Sequence, residues 1–311
     1  MNTDILAKLA ALPSVWKADA KVEWVVDGMI TVGSVNLFAA ESGTGKSWLA
    51  YGLGGCVARG APFAGHAVRQ MPVLYIDGEN PLGVIKDRLV NLGIPETSEF
   101  YIWGGWVLDD PPPGPSDPRV HEFAEKCKGL IIWDSFIEFH PGEESSASET
   151  RQFMKSFRNL ANKGATVLIL HNAGKAGTSK KYRGSSDIKA GVDTAYTVEK
   201  VMALGSSNGL DKLRVKNFKA RYAEGCDFGL QFVPVEGFKS TDKPLNEDFS
   251  ANAAALQGLL TEDGINGSEF KKLAAAKGIS RDRADRFLKA WPHQRAGSKA
   301  NEKLYFLPKA A

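Results

Sequence analysis

Short apolar runs alternate with longer stretches of helical pattern over about two thirds of the chain. Runs of this length, bounded by polar turn residues, predict buried strands, and the segments between them predict helices. Strands that alternate with helices are typical of an α/β domain with a mostly parallel sheet flanked by helices. The predicted strands include Val35–Ala39, Val73–Asp77, Phe100–Trp103, Leu130–Asp134 and Thr166–Leu170.

The pattern changes after Gly191, where short β-type runs follow, and again between Ser240 and Phe249, where polar residues predict a linker. Beyond the linker, three short helical patterns followed by a hairpin predict a winged helix. We therefore expect a lead-in at residues 1–30 that could contact a neighbouring subunit, an α/β domain at 31–240 and a winged-helix-like domain at 250–311. The C-terminal elements are predicted at residues 251–261, 267–276, 281–289 and 303–307.

The composition changes this picture little. Among the 311 residues, 43% are hydrophobic and 24% are charged, which excludes disordered and collagen-like classes. The net charge of +3 permits a nucleic-acid partner without requiring one. Cys56, Cys127 and Cys226 are widely separated, which argues against a disulfide framework and favours a reducing compartment. No apolar run approaches the ~20 residues of a membrane span, so we expect a cytoplasmic protein with no membrane partner.

A glycine-rich sequence follows the first of these strands. Ala40-Glu-Ser-Gly-Thr-Gly-Lys-Ser47 lies between an apolar strand and a helix predicted from Lys46 to Arg59, and this context distinguishes a phosphate-binding loop from a chance glycine-rich turn. The glycines let backbone N–H groups converge on an anion at the positive end of the helix. Lys46 is expected at the β and γ phosphates of ATP, and Ser47 at Mg²⁺. The expected nucleotide contacts are Ser42, Gly43, Thr44, Gly45, Lys46, Ser47 and Trp48.

Acidic residues stand at the ends of two other predicted strands. Asp134 ends the run Leu130–Asp134 and is the expected second ligand of Mg²⁺, although a strand-ending Asp can also simply cap the next segment. Asp77 and Glu79 follow a strand end as well, and hydrolysis needs a carboxylate that orients the attacking water. The residues alone do not decide between Glu79 and Asp77.

A histidine and a basic, glycine-rich segment follow the strand Thr166–Leu170. His171 could contact the γ-phosphate and report its loss to that segment, or it could satisfy an ordinary strand-end hydrogen bond. The segment is either a solvated loop or a contact for a nucleic-acid backbone. The candidate nucleic-acid contacts are Lys175, Lys180 and Lys181 there, and Arg295 and Lys299 in the C-terminal part.

These motifs together resemble the RecA-like ATPases of the RepA and DnaB group, and most of all the RepA-like replicative helicases of plasmids and phages. The resemblance runs from Glu23 to about Phe232. It implies Glu79 as the catalytic carboxylate, Asp134 at Mg²⁺ and His171 as the γ-phosphate sensor. The motifs that carry it are Ala40-Glu-Ser-Gly-Thr-Gly-Lys-Ser-Trp48, Val73-Leu-Tyr-Ile-Asp-Gly-Glu79, Leu130-Ile-Ile-Trp-Asp-Ser135, Leu168-Ile-Leu-His-Asn172 and Arg183-Gly-Ser-Ser186.

The same group inserts a Lys-x-Arg pair into the ATP site of the neighbouring subunit, and Lys219-Ala-Arg221 is similar to that pair. An arginine supplied in trans requires a ring or filament, and Arg183 competes with Arg221 for this role. Asn172 stands where some RepA-like chains carry a second histidine.

Three functions fit this resemblance. The favoured one is an ATP-driven DNA helicase or translocase that forms a homo-oligomeric, hexameric ring on single-stranded DNA and works with other replication proteins. The second is an ATP-dependent DNA-binding regulator or loader that uses the winged helix. The third, a phosphotransferase, lacks an acceptor motif. Oligomer number, polarity and the choice between DNA and RNA stay open.

Overall fold

The strands and the part of the chain that the structure describes are as follows. The computed structural model describes residues 3–18, 21–96, 99–142, 146–172, 186–200, 212–222, 225–241, 255–290, 294–297 and 303–306. The strands up to residue 241 are β1 Trp24–Val26, β2 Ile30–Thr31, β3 Val35–Ala40, β4 Val73–Asp77, β5 Phe100–Gly104, β6 Leu130–Asp134, β7 Thr166–Asn172, β8 Thr194–Lys200, β9 Lys212–Ala220, β10 Asp227–Val233 and β11 Gly237–Thr241.

Nine of these strands form one sheet in the order β11-β10-β9-β8-β3-β7-β6-β4-β5. The pairs within β3 to β8 are parallel, so the predicted α/β fold with a mostly parallel sheet is confirmed. The register aligns the strand ends, because Asp77 lies opposite Asp134 and Asn172 lies opposite Ala40. One edge of the sheet therefore collects the polar residues that end these strands.

Helices connect the strands and cover them. They are α1 Thr3–Ala10, α2 Lys46–Arg59, α3 Leu82–Asn91, α4 Pro118–Lys126, α5 Phe136–Phe139, α6 Ala147–Asn162 and α7 Ser186–Gly191. Side chains alternate between the two faces of a strand, and α6 packs on the face that carries Trp133, whose ring lies 5.0 Å from that of Phe157. In the described part of the chain no helix is long and apolar enough to cross a membrane.

Helix α2 approaches the other face of the sheet closely because glycines line its inner side. A Cβ at Gly54 would lie 3.2 Å from Cδ1 of Ile132, and one at Gly55 would lie 2.7 Å from Cδ1 of Ile94. Larger residues at these positions would push the helix outward. The glycines therefore fix the position of α2 and of the loop that precedes it.

The chain divides into two compact units, of residues 1–198, 216–226 and 233–239, and of residues 199–215, 227–232 and 240–311. The C-terminal residues of the second unit have a core of their own, in which the rings of Phe270 and Phe287 stack at 5.6 Å. Residues 255–257 are helical, and the further elements are β12 Ile265–Asn266, α8 Gly267–Ala276, α9 Arg281–Ala290, β13 Gln294–Ala296 and β14 Lys303–Tyr305.

These C-terminal strands form an antiparallel sheet in the order β12-β14-β13. Of the helix predicted at residues 251–261, residues 251–254 lie outside the described part, and a turn follows residue 257. The succession of helix, strand, two helices and a hairpin is the one expected of a winged helix. The winged-helix assignment and the three-part division of the chain stay predictions.

Candidate functional site

The glycine-rich loop joins the end of β3 to the start of α2. Its turn is closed by a hydrogen bond from the Thr44 amide to the Glu41 carbonyl at 3.2 Å. Gly43 and Gly45 have φ angles of 76° and 102°, which residues with a Cβ rarely adopt. Helix α2 begins at the next residue, Lys46, as predicted. The loop thus has the backbone of an anion nest at a helix N-terminus.

The remaining loop side chains differ in exposure. Thr44 is buried, Ser47 and Trp48 are half-buried, and Ser42 is exposed. The predicted contacts of Ser42 and Thr44 with phosphate would therefore come from their backbone more than from their side chains.

Lys46 is buried, and its ammonium group donates a hydrogen bond of 2.8 Å to Oδ1 of Asn172 at the end of β7. Burial lowers the pKa of Lys46, while the charges of Asp134 and Glu79 raise it. The ammonium group is therefore held by an amide oxygen in a field of two carboxylates. A phosphate oxygen could replace the neutral amide oxygen as the acceptor and would add a charge-assisted hydrogen bond to the ammonium group.

Asp134 is fully buried at the end of β6. The Tyr75 hydroxyl donates to its Oδ2 at 2.8 Å. Burial and the charge of Asp77 raise the pKa of Asp134 to about 6, against the hydrogen bonds from Ser47 and Tyr75 and the charge of Lys46. Its Oδ1 is buried and accepts no hydrogen bond from the described residues.

A buried carboxylate oxygen with no donor, on a residue that also contacts the Ser47 hydroxyl, fits Mg²⁺, which prefers oxygen ligands and usually takes few of them from the protein. Among the described residues, no three His, Cys, Asp or Glu side chains cluster into a metal site of their own.

Asp77 is also fully buried, but all of its acceptor capacity is used. Its Oδ2 accepts from the Tyr51 hydroxyl at 2.8 Å. Its Oδ1 accepts from the amides of Glu79 and Asn80 at 3.0 and 2.8 Å, and the Asn80 side chain donates to both oxygens. Asp77 therefore shapes the turn that carries Glu79.

Glu79 is exposed, and its Oε1 accepts a hydrogen bond from the Ser135 hydroxyl. The residue lies near enough to Lys46 to raise its pKa. Between the two acids that the sequence left open, Glu79 is the one with a carboxylate available to water.

Two tyrosines contact these acids, and the sequence motifs did not predict them. The rings of Tyr51 and Tyr75 stack at 3.9 Å, and their hydroxyls donate to Asp77 and Asp134. Burial raises the pKa of both tyrosines, so they stay neutral donors. The sequence feature that could have predicted them is a tyrosine in a buried strand together with a tyrosine in a glycine-rich helix that packs closely on the sheet.

His171 is buried at the end of β7, with its ring 5.5 Å from that of Phe136. The structure brings its neighbour Asn172, rather than His171, to the ammonium group of Lys46. The next residues, 173–185, lie outside the described part, and with them Lys175, Lys180, Lys181 and Arg183.

Lys219 and Arg221 lie at the opposite edge of the sheet. Arg221 forms an ion pair of 2.8 Å with Asp193, whose other oxygen accepts from the Val35 amide at the start of β3. The six residues of β3 place its start roughly 17 Å from its end. The Lys219 ammonium group donates to carbonyls at the end of α7.

In the C-terminal unit, Arg295 donates to the Asp263 carbonyl at 2.6 Å and lies 5.5 Å from the centre of the Phe306 ring. Its side chain is exposed. Lys299 lies outside the described residues. Of the nucleic-acid contacts that the sequence predicts, Arg295 is therefore the one that lies within the described residues.

A family profile described as AAA domain matches residues 14–178, which is just over half of the chain. The match contains the glycine-rich loop, Glu79, Asp134 and His171. No curated protein sequence matches the chain significantly.

Two solved structures are similar. The flagellar accessory protein FlaH from Methanocaldococcus jannaschii has 16% identity and a TM-score of 0.47, over 70% of this chain and 92% of that one. A DnaB-like replicative helicase, described with its interactions with primase, has 12% identity and a TM-score of 0.52, over 77% of this chain and 68% of that one. At this identity the second likeness shows the fold alone, which is RecA-like.

Proposed function

Because the chain belongs to the AAA domain family and has a RecA-like fold, we propose that it is a P-loop ATPase that hydrolyses ATP within a homo-oligomeric ring and so moves along single-stranded DNA. The observation that carries the proposal is the separation of Lys46 and Arg221 by the whole length of β3. An arginine at that edge suits the ATP site of a neighbouring chain and not its own.

The described residues support a division of work at the ATP site. The amides of Gly43 to Lys46 would hold the phosphates, with Lys46 turning from Asn172 to the γ-phosphate. Ser47 and Asp134 would hold Mg²⁺, which neutralises phosphate charge and orients the γ-phosphate. Glu79 would orient and polarise the attacking water, with Ser135 keeping its carboxylate in place.

The oligomer supplies the remaining charge. An arginine from a neighbouring subunit stabilises the negative charge that develops on the transferred phosphoryl group. Arg221 is half-exposed and lies at the edge away from Lys46, which supports it in this role. Arg183 stays the alternative, since it lies in the segment 173–185, outside the described residues. A hexamer is the ring we propose, as in the group that the motifs resemble.

ATP hydrolysis would act on DNA through the basic segment after β7. Asn172 links that segment to Lys46, so loss of the γ-phosphate would change the hydrogen bonding at the start of the segment. The likeness to a DnaB-like replicative helicase supports this use of ATP. We propose work in plasmid or phage DNA replication, with His171 and Asn172 as the sensing pair.

The test compares Glu79→Gln with Glu138→Gln. Glu138 is an exposed acid whose Cβ lies beside Gly78, so it matches Glu79 in location but not in contacts. We expect Glu79→Gln to lower kcat at least 100-fold with ATP still bound, and Glu138→Gln to change it less than threefold.

A second measurement tests the ring: the particle mass with ATP and Mg²⁺, with and without single-stranded DNA, reports whether the chains assemble. No stimulation of hydrolysis by single-stranded DNA would contradict the motor. Unwinding that survives Lys180→Ala with Lys181→Ala would contradict the mechanism in which the basic segment moves along DNA.

A second candidate is an ATP-dependent DNA-binding regulator or loader. The separate core of residues 255–306 favours it, because a motor alone needs no such unit. A footprint on duplex DNA that persists in Glu79→Gln, together with no unwinding by the wild type, would select the regulator.

A further inference from the structure

Asp193 is a buried carboxylate outside the ATP site. It precedes β8 and is completely shielded from solvent. Its Oδ2 accepts from the Val35 amide at 2.9 Å and pairs with Arg158 at 2.7 Å, and its Oδ1 pairs with Arg221 at 2.8 Å. A buried charge is stable only when it is paired and hydrogen-bonded, and this one is paired twice.

The two arginines are not equivalent. Arg158 lies on α6, also donates to the Gly191 carbonyl at 3.1 Å, and is 31% exposed. Arg221 is 49% exposed and follows β9. Arg158 and Val35 therefore already satisfy one oxygen of Asp193, and the other oxygen serves only to hold Arg221, as far as the described contacts go.

A second anchor holds the same segment. The Lys219 ammonium group donates to the carbonyls of Lys189, Ala190 and Val192 at 2.6, 3.3 and 2.6 Å. Three acceptors match the three N–H groups of a lysine. Burial and the charge of Arg221 lower the pKa of Lys219. The backbone around Arg221 is thus tied to the end of α7 while its side chain is tied to Asp193.

We propose that Asp193 is the positioning residue for Arg221, which it holds in the orientation needed at the ATP site of a neighbouring subunit. This inference rests on the proposed function and names a residue of the same shared site. An arginine has many rotamers, and holding its guanidinium group in advance removes an entropic cost from the transition state. In this proposal Asp193 acts through Arg221 and not on the nucleotide.

The first experiment measures ATP hydrolysis by the assembled full-length chain. Asp193→Asn keeps the size of the side chain but removes its charge. We expect kcat to fall about 10- to 100-fold while KM for ATP changes less than threefold, because the Lys46 site of each chain is intact. A rise in KM with kcat unchanged, or no change in either, would overturn the inference.

The second experiment mixes chains. Lys46→Ala chains hydrolyse no ATP but carry an intact Asp193 and Arg221, so they should restore hydrolysis to Asp193→Asn chains next to them. The same mixture with Arg221→Ala chains is the reference. A chain that carries both Lys46→Ala and Asp193→Asn is the control, and it should restore nothing to either.

The outcomes separate the two proposals. If Lys46→Ala chains rescue Arg221→Ala but not Asp193→Asn, the role of Asp193 is wrong and the shared site stands. If they rescue neither, the shared site itself is wrong. Should Asp193→Asn melt at a lower temperature than the wild type, Asp193→Glu decides by the same mixture, because it keeps the charge and displaces Arg221 by one methylene. Full wild-type kcat in a folded Asp193→Glu would also count against positioning.

Discussion

Asp77 and Asp134 lie opposite each other at the ends of β4 and β6, yet only Asp134 keeps a buried oxygen that accepts no hydrogen bond from the described residues. Every acceptor of Asp77 is used to hold the Tyr51 hydroxyl and the turn that follows. Two carboxylates in equivalent register thus have different surroundings: one shapes the backbone, and the other keeps an oxygen that would hold the cation of the proposed site.

Asp77→Asn should therefore affect turnover through Glu79. The Asn80 side chain donates to both oxygens of Asp77. An amide would place an NH₂ group where one of these oxygens lies, so a donor would face a donor and hydrogen bonds would be lost. The turn should loosen and move Glu79, so that kcat falls at least tenfold while the Kd for ATP changes less than threefold. Steady-state kinetics and equilibrium nucleotide binding measure the two effects. Asp110→Asn, at an exposed ion pair with Arg119, is the control and should leave both unchanged.

Asp134→Asn should change how stability depends on pH. In the folded chain Asp134 keeps its proton up to about pH 6, against an ordinary value of 3.8. Between these values the folded state binds one more proton than the unfolded state, so the free energy of unfolding of the wild type falls as pH rises. The loss is at most about 3 kcal/mol, and it is absent in Asp134→Asn.

Urea unfolding without nucleotide, from pH 4.5 to 7.5, measures this. The stability of Asp134→Asn relative to the wild type should grow up to about pH 6 and then level off. The variant should gain less stability from ATP with Mg²⁺. A difference that does not vary with pH would contradict the burial of an ionisable group at this position.

Asn172→Ala should destabilise the chain most when no nucleotide is bound. The buried Lys46 ammonium group loses the acceptor that lies 2.8 Å away, and a lost hydrogen bond to a charged group costs about 1.5–3 kcal/mol. Phosphate oxygens can replace the amide, so the deficit in melting temperature should narrow with ATP and Mg²⁺. Asn162→Ala, at an exposed position in α6, should melt like the wild type in both conditions. An equal deficit with and without nucleotide would mean that Lys46 does not move to the phosphates.

Gly55→Ala should destabilise the fold, and Gly83→Ala should not. A Cβ at Gly55 would lie 2.7 Å from Ile94, whereas nothing lies within 4 Å of one at Gly83. Overpacking costs about 1–3 kcal/mol, and alanine in place of an exposed helical glycine gains about 0.5 kcal/mol. Chemical unfolding of the two variants compares them directly. If Gly55→Ala is as stable as Gly83→Ala, α2 does not need its glycines for close packing.

The parts of the fold that depend on neighbours along the chain could be predicted. The phosphate loop is one, because strand, glycines and helix follow each other directly, and α2 has the predicted bounds. The alternation of strands and helices likewise predicted the parallel sheet. Asp134 and Glu79 could be named because strand ends meet at one edge of such a sheet.

Contacts between residues far apart in the sequence could not be predicted in this way. Asn172 meets Lys46 across 126 positions, and Asp193 meets Val35 across 158. Both contacts depend on β3 lying between β7 and β8, and the pattern of hydrophobic positions does not specify strand order. One oxygen of Asp77 accepts from Tyr51 on another element, so the residues alone left Asp77 and Glu79 as equal candidates and only the resemblance favoured Glu79.

The stacked tyrosines have a consequence for the order in which the site is filled. Tyr51 and Tyr75 support Asp77 and Asp134 as neutral donors, so they cancel none of the negative charge at this edge. The charges of Asp134 and Glu79 both act on the ammonium group of Lys46, and the charge of Asp77 acts on Asp134. In the proposed site such an edge would repel a bare triphosphate and admit one whose charge is already partly cancelled. Entry to the site would then depend on the supply of the divalent cation as much as on that of the nucleotide.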